Sequence, residues 1–209
     1  MKITKLVKYS FLYELINPII QFQALIDWYI QGKMPPTPPL IKQAIIKRLA
    51  AKYYIKIFIE TGTYLGNMIN GVKTAFEKIY TIELDKKLYK RAKNKFSTNP
   101  RISVICGNSA AILPRILNRI NKPAILWLDA HYSRGITTKG RKETPIIEEM
   151  SVILNHPIKK HVILIDDADC FIGKNDYPTL KYLKTFVKSN NSSLTITVEY
   201  NMIIITPKN

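Results

Sequence analysis

Ile55-Lys56-Ile57-Phe58-Ile59-Glu60-Thr61-Gly62-Thr63-Tyr64-Leu65-Gly66-Asn67 is the stretch whose reading decides the fold. A short β-branched and apolar run predicts a strand over 55–59, and it breaks into a carboxylate and two glycines that suit a tight strand-to-helix turn. A helix over 64–77 follows, and the same unit recurs along the chain. Helix 40–52 precedes the stretch. After it come strand 79–82, helix 85–96, strand 102–105, helix 109–120, strand 124–128, helix 144–155, strand 161–165 and helix 177–188. Strands that are apolar on both faces and alternate with helices predict a doubly wound, mostly parallel α/β sheet. Two closing runs, 194–198 and 202–206, flank Glu199-Tyr200-Asn201 and predict an antiparallel pair at the sheet's end.

At 209 residues, with 46% hydrophobic and 22% charged residues, the chain has room for one sizeable domain and the means to bury its core. Cys106 and Cys170 show no CxxC spacing, which argues against a disulfide framework or thiolate zinc site and for a reducing, cytoplasmic setting. Lys and Arg number 32 against 15 Asp and Glu, a net charge of +17. Such a field attracts polyanions: nucleic acid, an anionic membrane surface or a phosphorylated glycan. A general Ile/Asn/Lys-rich usage accounts for the lysines equally well.

Residues 1–34 read as two short amphipathic helices broken at Pro18, either a lid on the core or an interfacial membrane anchor. Polar residues interrupt every window of spanning length, so neither a membrane span nor a signal peptide is expected. Met34-Pro35-Pro36-Thr37-Pro38-Pro39 predicts a stiff extended connector over 35–39, and 40–209 reads as one unit.

Ligands of such a sheet bind beyond the carboxyl ends of its strands. At the first tip, Thr61, Gly62, Thr63, Tyr64, Gly66 and Asn67 offer backbone N–H groups to a ligand, or simply make a turn. Glu83 ends the second strand roughly twenty residues on, where a carboxylate accepts ribose hydroxyls, which predicts a nucleoside-containing ligand. Asp85 reads as the N-cap of the next helix. After the third strand, Asn108 faces an adenine edge or makes the turn, and Ser109 caps the following helix.

Glu60 through Gly66, Glu83, Asn108 and Asp129 together resemble the class I S-adenosylmethionine-dependent methyltransferases over about residues 50–206, with Tyr64 standing where that superfamily usually has a further glycine. The resemblance implies a seven-stranded Rossmann-like sheet with a reversed last strand. It also implies S-adenosylmethionine held by the Glu60–Asn67 loop, Glu83, Asn108, Ser109 and Asp129.

Asp129, Asp166 and Asp167 sit at the ends of neighbouring strands and would repel one another unless separated, protonated or neutralised by a cation. A Mg²⁺ ion on these three is one resolution. Helix or turn capping by Asp166 or Asp167, with Asp129 lining the pocket, is the other. The metal arrangement is similar to the O-methyltransferases of the macrocin and catechol types, whose ion holds the acceptor hydroxyl. His131, two residues beyond Asp129 on the same side of an extended strand end, is placed to take the acceptor's proton. Ser133 through Lys142 reads as a lid or a solvated loop, Thr144 and Pro145 as a helix start, and His156 and His161 as structural.

The expected function is metal-assisted O-methylation of a hydroxyl on a sugar, an anionic substrate or another small acceptor. The alternatives are an RNA methyltransferase using the basic surface and a non-catalytic nucleotide-binding protein of the same fold.

Overall fold

The computed structural model describes residues 11–129 and 144–208. Its seven strands form one sheet in the order β3-β2-β1-β4-β5-β7-β6. These are β1 Ile57–Thr61, β2 Lys78–Glu83, β3 Ile102–Cys106, β4 Ala124–Leu128, β5 Val162–Ile165, β6 Leu194–Glu199 and β7 Met202–Pro207. Strands β1 to β5 pair in parallel, while β7 runs antiparallel to both β5 and β6. This is the expected doubly wound Rossmann-like sheet, with its last strand β7 reversed and a helix preceding it in the chain.

Period-2 alternation sorts the strand residues onto two faces. Phe58, Ile79, Ile125, Trp127 and Leu164 pack against α2 (Pro39–Lys52), α3 (Asn67–Val72) and α4 (Lys86–Lys95). Ile59, Ile82, Leu126, Leu128 and Ile165 pack against α5 (Ser109–Leu117), α6 (Ile146–Asn155) and α7 (Leu180–Asn190). The chain leaves β1 for β2 and β3 on one side, then returns to build β4 and β5 on the other. The β1 and β4 tips therefore flank the topological switch point, where such sheets open a crevice.

Several boundaries differ from those the sequence predicts. Strand β1 starts two residues later, because Ile55 closes α2 by donating to Ala50 O at 3.0 Å, which places Glu60 and Thr61 inside the sheet. Helix α3 spans six residues rather than fourteen, since Thr63 to Gly66 are spent in a turn. Asn108 rather than Ser109 caps α5, accepting from Ala110 N at 2.9 Å. Helix α6 begins at Ile146 without a side-chain cap, and α7 begins behind Thr179, which accepts from Tyr182 N.

The N-terminal segment differs most. One helix of 20 residues, α1 (Phe11–Ile30), runs through Pro18. An interior proline removes a hydrogen bond and costs about 3 kcal/mol. Here Pro18 is exposed, while Tyr13, Asn17 and Trp28 are buried and anchor the helix on either side of it. Trp28 stacks edge-on against Tyr200 with ring centroids 5.3 Å apart, and Thr37 donates to Tyr200 O. No helix among the described residues is long and apolar enough to cross a membrane.

Candidate functional site

The loop between β1 and α3 is held by two acidic residues from below and by three helices from its sides. Glu60 and Thr81 are register partners on β1 and β2, and Thr81 Oγ1 donates to Glu60 Oε2 at 2.6 Å. That uses the only hydroxyl proton of Thr81, so Thr63 must donate to Thr81 across their 2.5 Å contact. Glu60 thus reaches the loop through two hydroxyls instead of projecting from it, and burial pushes its carboxyl well above the usual range. Glu83 Oε2 accepts Tyr64 N–H at 2.8 Å and its Oε1 accepts Asp85 N–H at 2.9 Å. Burial raises its pKa, against the opposing pull of these amides.

Within the loop Tyr64 and Gly66 take left-handed backbone angles, φ 50° and φ 72°. A Cβ on Gly66 would lie 2.7 Å from the Phe96 ring, so both the conformation and the space require glycine. Asn67 is tied to α1: its Oδ1 accepts from Asn17 Nδ2 at 3.3 Å and its Nδ2 donates to Tyr13 Oη at 3.1 Å. Gln43 of α2 donates to Asn67 O at 3.1 Å, and Lys95 of α4 to Leu65 O at 2.9 Å. At the neighbouring tip Asp85 caps α4 through Lys87 N and Leu88 N. Asn108 spends its side-chain oxygen on the α5 cap, and Ser109 is buried.

Across the switch point, the ladder continues one residue past β4 and β5: Asp129 N donates to Thr61 O at 3.1 Å, and Asp166 N to Leu128 O at 3.2 Å. Asp129 and Asp166 therefore stand on adjacent tips. Asp166 Oδ2 is paired with the Lys42 ammonium, and its Oδ1 accepts Asp167 N–H at 3.0 Å. Lys42 comes from α2 and lies 5.8 Å from the centroid of the Trp127 ring, its side chain only 14% exposed. Burial and Asp129 raise the Asp166 carboxyl to about 6 despite that cation. Asp167 turns the chain at φ 52° into a single 3-10 turn, Ala168–Cys170.

The expected Asp129, Asp166 and Asp167 metal site is not assembled. Among the described residues no three His, Cys, Asp or Glu side chains are placed to hold an ion. At Asp166 the protein's own ammonium offsets part of the repulsion. A divalent ion on Asp166 would have to displace Lys42.

A small cavity lies between these tips and α6, lined by Asp129, Asp166, Thr144, Tyr177 and Glu149 among others. Glu149 is 1% exposed, and among the described residues its Oε1 meets no hydrogen-bond partner. Burial pushes the Glu149 carboxyl up to about 7, although the Ser109 and Thr61 hydroxyls favour its charged form. An unsatisfied buried carboxylate beside a polar cavity is a site set up to meet a ligand or its proton. His131 and the stretch Ser133–Lys142 lie outside the described residues.

Sequence reading missed Lys42 and Glu149, and both left a signal. Lys42 stands near the start of α2, where the helix dipole disfavours a cation and no acid offsets it, which implies a partner elsewhere. Glu149 follows Ile146 by three and precedes Ile153 by four, on the apolar stripe of α6. His156 and His161 sit at the opposite edge of the sheet. His161 Nδ1 accepts Ala124 N–H at 3.0 Å, the two rings share a 2.9 Å hydrogen bond, and His156 Nε2 contacts Leu117 O at 3.1 Å.

No protein-family model matches this sequence, and no curated protein matches it. Solved structures do share its fold. The O-methyltransferase TomG of Streptomyces achromogenes, in complex with SAM, superposes with a TM-score of 0.59 at 14% identity, covering 99% of this chain and 100% of the other. An O-methyltransferase of Bacillus cereus, in complex with SAH, gives 0.60 at 14% identity, covering 96% of this chain and 98% of that one. An SAH-bound methyltransferase of Podospora anserina gives 0.54 at 15% identity, with each chain covered in full (100%).

Proposed function

We propose that this chain is an S-adenosylmethionine-dependent methyltransferase that transfers its methyl group to a hydroxyl oxygen. The observation that carries this reading is the double clamp on the first loop: Glu60 through Thr81 and Thr63, and Glu83 through Tyr64 N. It lies one strand from Asp129 and two from Asp166, across the switch point. That arrangement supports a cofactor loop and an acceptor pocket sharing one crevice, and the structural neighbours bound to SAM or SAH support the assignment.

In this proposal the Thr61–Asn67 backbone surrounds the methionine portion, Glu83 accepts the ribose hydroxyls with its remaining lone pairs, and Asn108 and Ser109 border the adenine. S-adenosylmethionine supplies an electrophilic methyl carbon on a sulfonium sulfur. The protein's share is to align the acceptor oxygen with that carbon, to exclude water and to receive one proton. Asp129 and Glu149 border the cavity that would seat the acceptor, and His131 follows Asp129 by two residues as the sequence's candidate base. Lys42 neutralises Asp166 without an added ion, so no step is assigned to a divalent metal. The acceptor class in this proposal is a sugar or other small hydroxylated molecule, with only its reacting oxygen entering the small cavity beside Asp129.

Calorimetric titration with S-adenosylhomocysteine tests the reading. Binding by the wild type, weakened at least about tenfold in Glu83→Ala through loss of a hydrogen-bonded carboxylate, is expected. A wild type that takes up no S-adenosylhomocysteine would overturn it.

A further inference from the structure

Helix α1 is apolar on two opposite sides, and only one of them is used. Tyr13, Asn17 and Trp28 face the domain, whereas Leu15, Ile19, Phe22, Ile26, Tyr29 and Ile30 are all exposed, Ile19 at 71% and Ile30 at 78%. Their spacing of four, three, four, three and one residues puts them in one stripe about 22 Å long. The helix is not loosely attached: Tyr13 and Asn17 grip Asn67 near one end, and Trp28 packs on Tyr200 near the other.

Those two anchors also fix where the stripe lies. Asn67 follows the carboxyl end of β1. Tyr200 lies in the β6–β7 turn, which register places beside the carboxyl end of β5, where Ile165 pairs with Ile203. Helix α1 therefore runs along the edge of the sheet that carries the candidate site. A cation adjoins the stripe's aromatic end, with Lys33 Nζ 5.1 Å from the Tyr29 ring centroid.

We propose that this stripe docks the protein on an anionic lipid bilayer, the site-bearing edge of the sheet facing the membrane. Charge selects this occupant. The chain carries +17, which draws it to a negative surface, whereas a second copy would bring the same charge to the contact. Apolar side chains with an aromatic and a lysine at one end then suit the headgroup boundary. The docking stands independently of the methyltransferase reading; resting on that reading, it would bring a bilayer-held hydroxyl to the site.

The experiment is co-sedimentation of the full chain with phosphatidylcholine vesicles, with and without phosphatidylglycerol, at low and high salt. The comparison is the variant Ile19→Asp/Phe22→Asp, with light scattering and S-adenosylhomocysteine titration on both proteins. The expected result is sedimentation that requires phosphatidylglycerol, weakens with salt and falls at least about tenfold in the variant, with mass unchanged. Wild type left in the supernatant overturns the proposal, as does a variant that sediments equally or a wild-type dimer dissociated by the substitutions. If the double variant loses its helical circular dichroism, Phe22→Ser/Ile26→Ser is read against the same outcomes. Loss of S-adenosylhomocysteine binding by the wild type would refute the methyltransferase reading and leave the docking result untouched.

Discussion

Lys42 on α2 and Asp166 at the tip of β5, 124 positions apart in sequence, form an ion pair with side chains only 14% and 6% exposed. A pair so sheltered from water behaves unlike a surface salt bridge. Removing one partner strands a charge whose desolvation has already been incurred.

Lys42→Met should therefore cost about 3 kcal/mol at neutral pH, at the low end for a broken buried pair because Asp166 can take up a proton. The double variant Lys42→Met/Asp166→Asn should recover most of that loss. Urea unfolding of the four proteins of this cycle provides the measurement, and a double variant no more stable than the single one would show that the pair is not coupled. Added Mn²⁺ should leave the wild-type melting temperature unchanged, since the ammonium already occupies the carboxylate.

Gly66 and Gly32 both adopt positive φ, 72° and 70°, but differ in surroundings: a Cβ at Gly66 meets the Phe96 ring, and one at Gly32 meets nothing within 4 Å. Gly32→Ala isolates the backbone penalty, about 1 kcal/mol. Gly66→Ala adds a ring displacement and should cost about 2–4 kcal/mol in total. Only Gly66→Ala should also weaken S-adenosylhomocysteine binding. Equal losses at the two positions would mean that Phe96 moves aside freely.

The sheet was legible because its strands are continuous apolar runs, a pattern that burial on both faces imposes. Asp85 was legible for a related reason: it sits where a strand has stopped and the first amides of the next helix need an acceptor. What escaped was set by tertiary contact. Pro18 reads as a break, yet α1 continues because Asn67 and Tyr200 hold the residues on either side of it. The carboxylates at the β4 and β5 tips read as a metal site because the cation paired with Asp166 lies 124 positions upstream, and no local pattern links Lys42 to Asp166.

The histidine pair makes the fold acid-sensitive. Because Ala124 N–H donates to His161 Nδ1, the proton of His161 must reside on Nε2 and point to His156 Nδ1, which leaves His156 Nε2–H for Leu117 O. Protonating His161 would set two N–H groups against each other. Burial, with His156 beside it, accordingly lowers its pKa from 6.5 to about 4. The unfolded chain binds this proton more readily, so the contribution is complete above about 6.5 and is lost as pH falls towards 4, on the order of 3 kcal/mol. Because the raised Glu149 carboxyl opposes this term, urea unfolding from pH 7.5 to 4.5 should show the fall in Glu149→Gln, and adding His161→Gln should flatten it. An unchanged slope in that variant would remove His161 as the cause.

Glu149 imposes the opposite slope. Its folded pKa of about 7 exceeds the ordinary 4.5, so the folded state holds the proton more tightly, and stability declines as pH rises from about 4.5 to 7. Above that window the folded protein carries an ionised carboxylate with one oxygen unpartnered. Glu149→Gln keeps the shape and removes the charge, so it should stabilise the protein by on the order of 3 kcal/mol at pH 8 and change little at pH 4.5. Urea unfolding at the two pH values measures the difference. The raised carboxyls of Glu60, Glu83 and Asp166 also oppose the histidine term, so the amide variant should steepen the histidine-driven rise by removing one of its opponents. If Glu149→Gln instead destabilises the protein equally at both pH values, its carboxylate is paired in solution and the orphaned oxygen is not a feature of the native site.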